Sequence, residues 1–350
     1  MKVTVGILAH DEAAVIARTI GSLFEQSVFN GRDLGARWDV VVVPNGCKDD
    51  THRLAEQSLQ AACASREAVS WQVVSLERPG KSHAWNRLVH QIAAQDTDVF
   101  VMLDADIEFG HVDTIANCVR RLHSDEHARA VVDLPLKDFA RKRDHSLLER
   151  LSLRASKVRV TDSLPGISGQ FYVMPGPRMR SIWMPLDLSV EDGFLHAMVI
   201  TDNFRQAPDY TRVVRAVDAS HYYEGLTRVR DIVRHEVRLM IGTVLNAYLC
   251  WDVLLFMTPR DGAGAGEMVR ILNEQDPTWY PRMMANQIEI RGSGAIRISQ
   301  VWRRLPAWWA LPPLRRLIKM PTTLAWTAFD AVVMWQANRK LVSGRAIGYW

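Results

Sequence analysis

The run Val99-Phe100-Val101-Met102-Leu103-Asp104-Ala105-Asp106 sets a string of apolar residues before two carboxylates one residue apart. Its β-branched valines predict a buried strand, and nothing in the packing of such a strand calls for acids at its end. Two close carboxylates suit a hard divalent cation such as Mg²⁺ or Mn²⁺, held where it can face the oxygens of a diphosphate. Asp-x-Asp alone is short and common, so its meaning depends on its surroundings. A second acid pair, Glu191-Asp192, precedes the apolar helical run Phe194-Leu195-His196-Ala197-Met198. Acids there favour a helix N-terminus, and one of them could also take a proton from an attacking hydroxyl. The loop Arg78-Pro79-Gly80-Lys81 offers two cations to an anion or simply to solvent.

Positioning these groups requires a scaffold, and the first hundred residues predict one. Val3 to Ala9 reads as a strand, followed by a helix on which Glu12, Val15, Ile16, Thr19, Ile20, Leu23 and Phe24 recur at helical spacing. Trp38 to Val43 is the next strand, closed by the turn Pro44-Asn45-Gly46, and Asp49-Asp50-Thr51 opens a second helix. Trp71 to Leu76 is a third strand, followed by a helix through Ala84, Leu88 and Ile92, and the strand bearing Asp104 and Asp106 is fourth. This alternation predicts an α/β fold with a mostly parallel sheet flanked by helices. Ligands of such sheets sit beyond the carboxyl ends of the strands. His10 to Glu12, Asn45-Gly46, Arg78 to Lys81 and Asp104 to Asp106 should therefore share one rim.

The 350-residue chain has 48% hydrophobic and 23% charged residues, enough for a sizeable core. Its net charge of +4 is too small to argue for a nucleic-acid partner, and none is expected. Cys47, Cys63, Cys118 and Cys250 form no Cys-x-x-Cys pair, which argues against a zinc knuckle or disulfide framework and suits a reducing cytoplasm. Met1-Lys2 runs directly into the first strand pattern, so no signal peptide is expected. The pattern changes near Gly225, dividing the chain into a catalytic domain, 1–230, and a helical, Trp- and Arg-rich C-terminal region, 231–350. Asp231, Arg234, His235, Arg238, Gly242 and Asn246 give one polar helix face, and Leu239 to Met257 is apolar nearly all round. Asp252 within that run costs roughly 2.5–3.5 kcal/mol on insertion, which argues against a membrane span. Pro259 to Gly266 reads as a flexible break, with Arg260 inside it. Eight of the twelve tryptophans follow residue 250 (Trp251, Trp279, Trp302, Trp308, Trp309, Trp326, Trp335 and Trp350), interleaved with Arg303, Arg304, Arg315, Arg316, Lys319, Arg339 and Lys340. Such rings and cations suit the headgroup layer of an anionic membrane; packing onto the catalytic domain is the alternative.

Taken in order, seven segments make the chain, from roughly Met1 to Gly242, resemble family 2 glycosyltransferases of the GT-A fold. They are Val3 to Glu12, Val42 to Thr51, Gly80-Lys81-Ser82-His83-Ala84-Trp85-Asn86, Asp104-Ala105-Asp106, Gly166 to Phe171, Glu191-Asp192 and His221. The resemblance implies an inverting transfer of a sugar from a nucleotide-diphospho-sugar donor to a hydroxyl of a glycan or lipid-linked acceptor. It implies Asp106, Asp104 and His221 as ligands of Mg²⁺ or Mn²⁺. His10, Glu12, Asn45, Asp49, Arg78, Lys81, Asp104 and Gly169 would line the donor site. Asp192 would be the base, with Glu191 shaping the site beside it. A cytoplasmic enzyme, peripheral on the cytoplasmic face of the membrane, fits this reading. One departure is Pro44-Asn45, where many relatives carry an acid that reads uracil. An amide can still pair with a base, so uridine, guanosine and thymidine all stay open. Among other classes, a nucleotidylyltransferase needs a Gly-rich basic loop after the first strand, where this chain has Ala9-His10-Asp11-Glu12. A dinucleotide oxidoreductase needs Gly-x-Gly-x-x-Gly there. An inactive nucleotide-sugar-binding or membrane scaffold has no use for Asp104, Asp106, Asp192 and His221 together.

Overall fold

The computed structural model describes every residue except 32–33, 143, 145–148, 151–163, 260, 303 and 344–350. Arg260, Arg303 and Trp350 thus lie outside the described residues. The strands are β1 (Lys2–Ala9), β2 (Arg37–Pro44), β3 (Val69–Val73), β4 (Val99–Asp104), β5 (Glu108–Phe109), β6 (Ala130–Lys137), β7 (Phe171–Pro175) and β8 (Val213–Tyr223). They form one sheet in the order β3-β2-β1-β4-β7-β6-β8-β5. Strands β1 to β4 pair in parallel, β7 runs antiparallel between β4 and β6, and β8 lies parallel to β6 and antiparallel to β5. Parallel strands need long crossovers, supplied by helices α1 (Ile16–Phe24), α2 (Thr51–Cys63) and α3 (Lys81–Arg87), the last extended by a π turn, Leu88–Ile92. Helix α4 (Thr114–Ser124) leads to β6, and α5 (Gly176–Arg180) follows β7.

The strand runs are apolar throughout because both faces of the sheet are covered. Val3, Val5, Ile7, Val40, Val42, Val99, Val101 and Leu103 point into a core with Ile16, Ile20, Leu59 and Ile115. Leu8, Val41, Val43, Phe100 and Met102 point the other way, against Trp85, Leu88, Phe194 and Leu245. The third strand starts at Val69 rather than at Trp71 and ends before Leu76. It is an edge strand with its side chains half-buried, so its alternation is weak, and Leu76 bridges to Asn45 beyond the strand end. Helix α1 begins at Ile16, because the carbonyl of Glu12 accepts from Val15 N and Ile16 N in a turn before the helix.

After β7 the elements are α6 (Glu191–Ile200), β8, α7 (Val229–Ala247), a π turn (Tyr248–Leu254) and α8 (Leu255–Met257). Helices α9 (Ala265–Gln275), α10 (Trp279–Arg291), α11 (Leu305–Trp309) and α12 (Pro313–Val342) complete the described chain. Val333, Ala337 and Leu341 of α12 belong to the same core as Trp85 and Phe100, so this region is built onto one face of the sheet. Val229–Met257 is long and apolar enough to cross a membrane, yet half of its apolar stretch is buried in the fold. Asp252 pairs with Arg291 at 2.9 Å. The tryptophans differ in burial. Trp279 is buried and donates from Nε1 to Asn273 Oδ1 at 2.8 Å, whereas Trp302, Trp309, Trp326 and Trp335 are 44–65% exposed.

Candidate active site

Register places the site. Leu8 pairs with Asp104 across β1 and β4, and Ala9 with Pro44 across β1 and β2. His10, Asn45 and Asp104 therefore emerge side by side at the carboxyl rim. Asn45 is 1% exposed: its Nδ2 donates to Ala9 O at 2.7 Å and its Oδ1 accepts from Gly80 N at 3.0 Å. Its amide thus binds the ends of β1 and β2 to the loop that opens α3. His10 Nδ1 lies 2.6 Å from Asn45 O. Gly46 has φ +60, and a Cβ there would stand 2.5 Å from Pro79 Cβ, so only glycine lets these two loops approach. Asp49 accepts from Ala13 N, Thr51 N and Thr51 Oγ1, while Thr51 Oγ1 accepts from Glu12 N at 2.8 Å. Asp49 thereby ties the turn after β1 to the start of α2. Asp11, Cys47 and Asp49 bring potential ligand atoms within 4.8 Å of one another, but Asp11 Oδ1 accepts from Lys48 N and Asp49 carries the bonds just named.

The centre of the site is an ammonium between two acids. Lys81 Nζ lies 2.7 Å from Asp104 Oδ1 and 2.7 Å from Glu191 Oε1, and reaches Gly169 O at 3.4 Å. A Cβ at Gly169 would collide with Glu191 Oε1 and stand 2.9 Å from Lys81 Nζ, so glycine here makes room for the ion pair. Burial alone would lower the Lys81 pKa, but Asp104 and Glu191 outweigh it and hold the ammonium charged. Burial pushes Asp104 up to about 6, with Asp106 and Glu191 adding to the rise and Lys81 opposing it. Glu191 is likewise raised by burial, yet the Lys81 charge and hydrogen bond bring it below its ordinary value. Asp192, next on α6, is raised to about 6 by burial and by Glu191, with no ammonium touching it. Glu12 is raised to about 7, first by burial and then by Asp106, Asp104 and Asp49, which places it among the rim acids.

His221 enters from β8 and is fully buried. Its Nδ1 lies 2.9 Å from both carboxylate oxygens of the buried Asp133 on β6, and its Nε2 lies 3.3 Å from Gln170 Oε1. Gln170 O accepts from Asp104 N at 3.0 Å, so one residue touches both Asp104 and His221. Arg78 stands apart, paired with Asp187 through two 2.9 Å bonds. Asp133 is absent from the candidates drawn from sequence. Its signal is a lone acid in the apolar strand run Ala130-Val131-Val132-Asp133-Leu134, where an unpaired charge would be costly.

The eight-stranded mixed sheet flanked by helices is a fold of the GT-A type. Residues 4–174 match the glycosyl transferase family 2 profile, and the chain carries that family's domain. Among solved structures, the fold is similar to a mannosyltransferase from Pyrobaculum calidifontis in complex with GDP-Man and Mn²⁺. That match has 18% identity, covers 95% of this chain and 87% of that one, and has a TM-score of 0.51. A glucosyl-3-phosphoglycerate synthase from Mycobacterium tuberculosis, solved with Mn²⁺ and UDP, shares 20% identity over 71% of this chain and 80% of its own, with a TM-score of 0.47. No curated protein matches the sequence at a significant level.

Proposed function

We propose that this protein is a metal-dependent, inverting glycosyltransferase that moves a sugar from a nucleotide-diphospho-sugar to a hydroxyl of a glycan or lipid-linked acceptor. The observation that carries this reading is the chain Asp104–Lys81–Glu191, which joins the acids at the end of β4 to the acids that open α6. The donor's diphosphate would lie over the rim of β1, β2 and β4, and the acceptor would approach Asp192. Asp106, Asp104 and His221 would hold Mg²⁺ or Mn²⁺. Carboxylates and an imidazole are a suitable donor set, and Asp133, 2.9 Å from Nδ1, fixes the orientation of the His221 ring. When bound, such an ion would supply positive charge to offset that on the departing diphosphate.

The residues of the chain supply the rest. Asp192, raised toward neutrality yet ionised at pH above about 6, accepts the proton of the acceptor hydroxyl. The hydroxyl oxygen forms its bond to the anomeric carbon as the bond from that carbon to the diphosphate breaks. The electron pair leaves with the nucleoside diphosphate. Glu191 stays ionised against Lys81 and keeps α6 registered on the donor rim. Attack from the side opposite the leaving group inverts the anomeric centre. The exposed tryptophans of α11 and α12, with Arg316 beside Trp309 and Arg339 beside Trp335, support peripheral contact with an anionic membrane, on its cytoplasmic side.

A panel of nucleotide-sugars, scored by release of nucleoside diphosphate with Mn²⁺ or in excess chelator, tests the reading. Release that depends on the metal, is lost in Asp106→Ala and yields an inverted product supports it. Full activity in chelator, or retained configuration, refutes it.

A further inference from the structure

Asp192 also opens onto a cavity of about 450 Å³, within the size range of small-molecule sites. One wall is α6, with Gly193, His196 and Ala197. The other is α7 and the π turn after it, and both walls lie beyond the family-matched segment. Ala197, Ile200, Leu239, Met240, Val244 and Trp251 make most of its surface apolar. None of the described lining residues is Lys or Arg, and the charged ones are Asp192 and Glu236. Asn246 is 7% exposed and donates from Nδ2 to Val190 O at 2.7 Å, which turns Oδ1 away; that oxygen is buried and has no partner.

We propose that this cavity is the acceptor site, and that its occupant is an uncharged hydroxyl-bearing amphiphile drawn from a lipid bilayer. The inference rests on the transferase reading above and names the acceptor class. Asp192 requires a hydroxyl beside it. A phosphorylated acceptor would set an anion against Asp192 and Glu236 in a cavity whose described lining includes no Lys or Arg. A free sugar would press its hydroxyls against Leu239 and Trp251, where they find no partners. A hydrocarbon body fits that wall. Gln300 lines the cavity, and two residues further on Trp302 begins a second hollow with Leu305 and Trp309 on the exposed aromatic face. A bilayer-held acceptor would approach the cavity from the side of Gln300.

The test uses the full chain with Mn²⁺, its donor and a series of n-alkyl glycosides from methyl to octyl, each below its micelle-forming concentration. The expected result is a kcat/KM that rises about three- to four-fold per methylene, carried by KM, until the cavity is full. Thr243→Trp, at an exposed position on the cavity wall, should bring the octyl-to-methyl ratio close to one, with its melting temperature reporting that it is folded. The octyl acceptor embedded in phosphatidylglycerol vesicles should also be consumed. A flat series with metal-dependent nucleotide release intact overturns the cavity assignment while leaving the transferase. Failure in vesicles alone overturns the bilayer as the source. Absence of metal-dependent release from every donor overturns the transferase reading itself.

Discussion

Lys81→Met removes the ammonium at the middle of the site and keeps a side chain of similar length. The two carboxylates it leaves are largely buried: Asp104 and Glu191 have side chains 21% and 15% exposed, and both stand 2.7 Å from Nζ. Removing one partner of a buried ion pair costs about 3–5 kcal/mol, because the remaining charge stays desolvated. Residual exposure favours the low end of that range, and the presence of a second orphaned carboxylate works against any larger discount. A loss of about 3 kcal/mol is expected above about pH 7. One kcal/mol moves the Tm of a domain of roughly 150–250 residues by about 2–4 °C, and a longer chain by less. The variant should therefore melt about 5 °C below wild type. Without Lys81, both carboxylates have folded-state pKa values above their unfolded ones. Their cost is then present where they ionise and is relieved as pH falls through the folded values. Calorimetry of metal-free protein should show a deficit at about pH 8 that shrinks toward about pH 5. Adding Asp104→Asn to the variant should recover part of it. Equal melting at the higher pH, or a deficit that does not shrink on acidification, would refute the buried-bridge argument.

Asp192→Asn should lower turnover by about 10²–10⁴-fold with little change in donor KM, since the amide keeps the shape but cannot take the proton. For the unmodified enzyme, initial rates should climb as pH rises through about 6, where Asp192 loses its own proton; wild-type turnover in the variant would assign the base elsewhere. On the membrane side, the protein should co-sediment with anionic vesicles and be released by salt, each nearby Lys or Arg adding ~1 kcal/mol. Replacing Trp309, Trp326 and Trp335 with serine should weaken that association, and unchanged co-sedimentation would show that these exposed rings do not touch lipid.

The scaffold of the rim was readable because β1, β2 and β4 are buried on both faces and so appear as unbroken apolar runs. The edge strand β3, with its half-buried side chains, gave only an approximate position. The acids on the rim were also readable, since carboxylates at the end of an apolar strand have no packing purpose. Pairings across long sequence distance were not. Nothing in the sequence says that Lys81 would lie between Asp104 and Glu191, 110 positions further along, or that Arg78 would be held by Asp187. Asn45 illustrates the same limit: an amide in a turn after a strand suggests a ligand contact, and the fold engages it with Ala9 and Gly80. The orphaned Oδ1 of Asn246 could not be foreseen either, because it exists only once α7 packs against Val190.

The place of β8 in the sheet carries a consequence for how the protein is made. It pairs with β6 on one side, and on the other with the two-residue β5, whose Phe109 faces His221 across the ladder. A chain leaving the ribosome can align β1, β2, β3 and β4 early, bringing Asp104 and Asp106 to the rim while Asp192 and His221 are still to be synthesised. Contacts of such long sequence separation close slowly, and until they do β5 lacks its partner strand. A nascent or truncated chain ending after β7 would thus hold clustered acids with neither His221 nor Asp192 beside them. Under the proposed function, the rim acids of β4 would stay without these partners until synthesis has passed His221, with α7 to α12 still to follow.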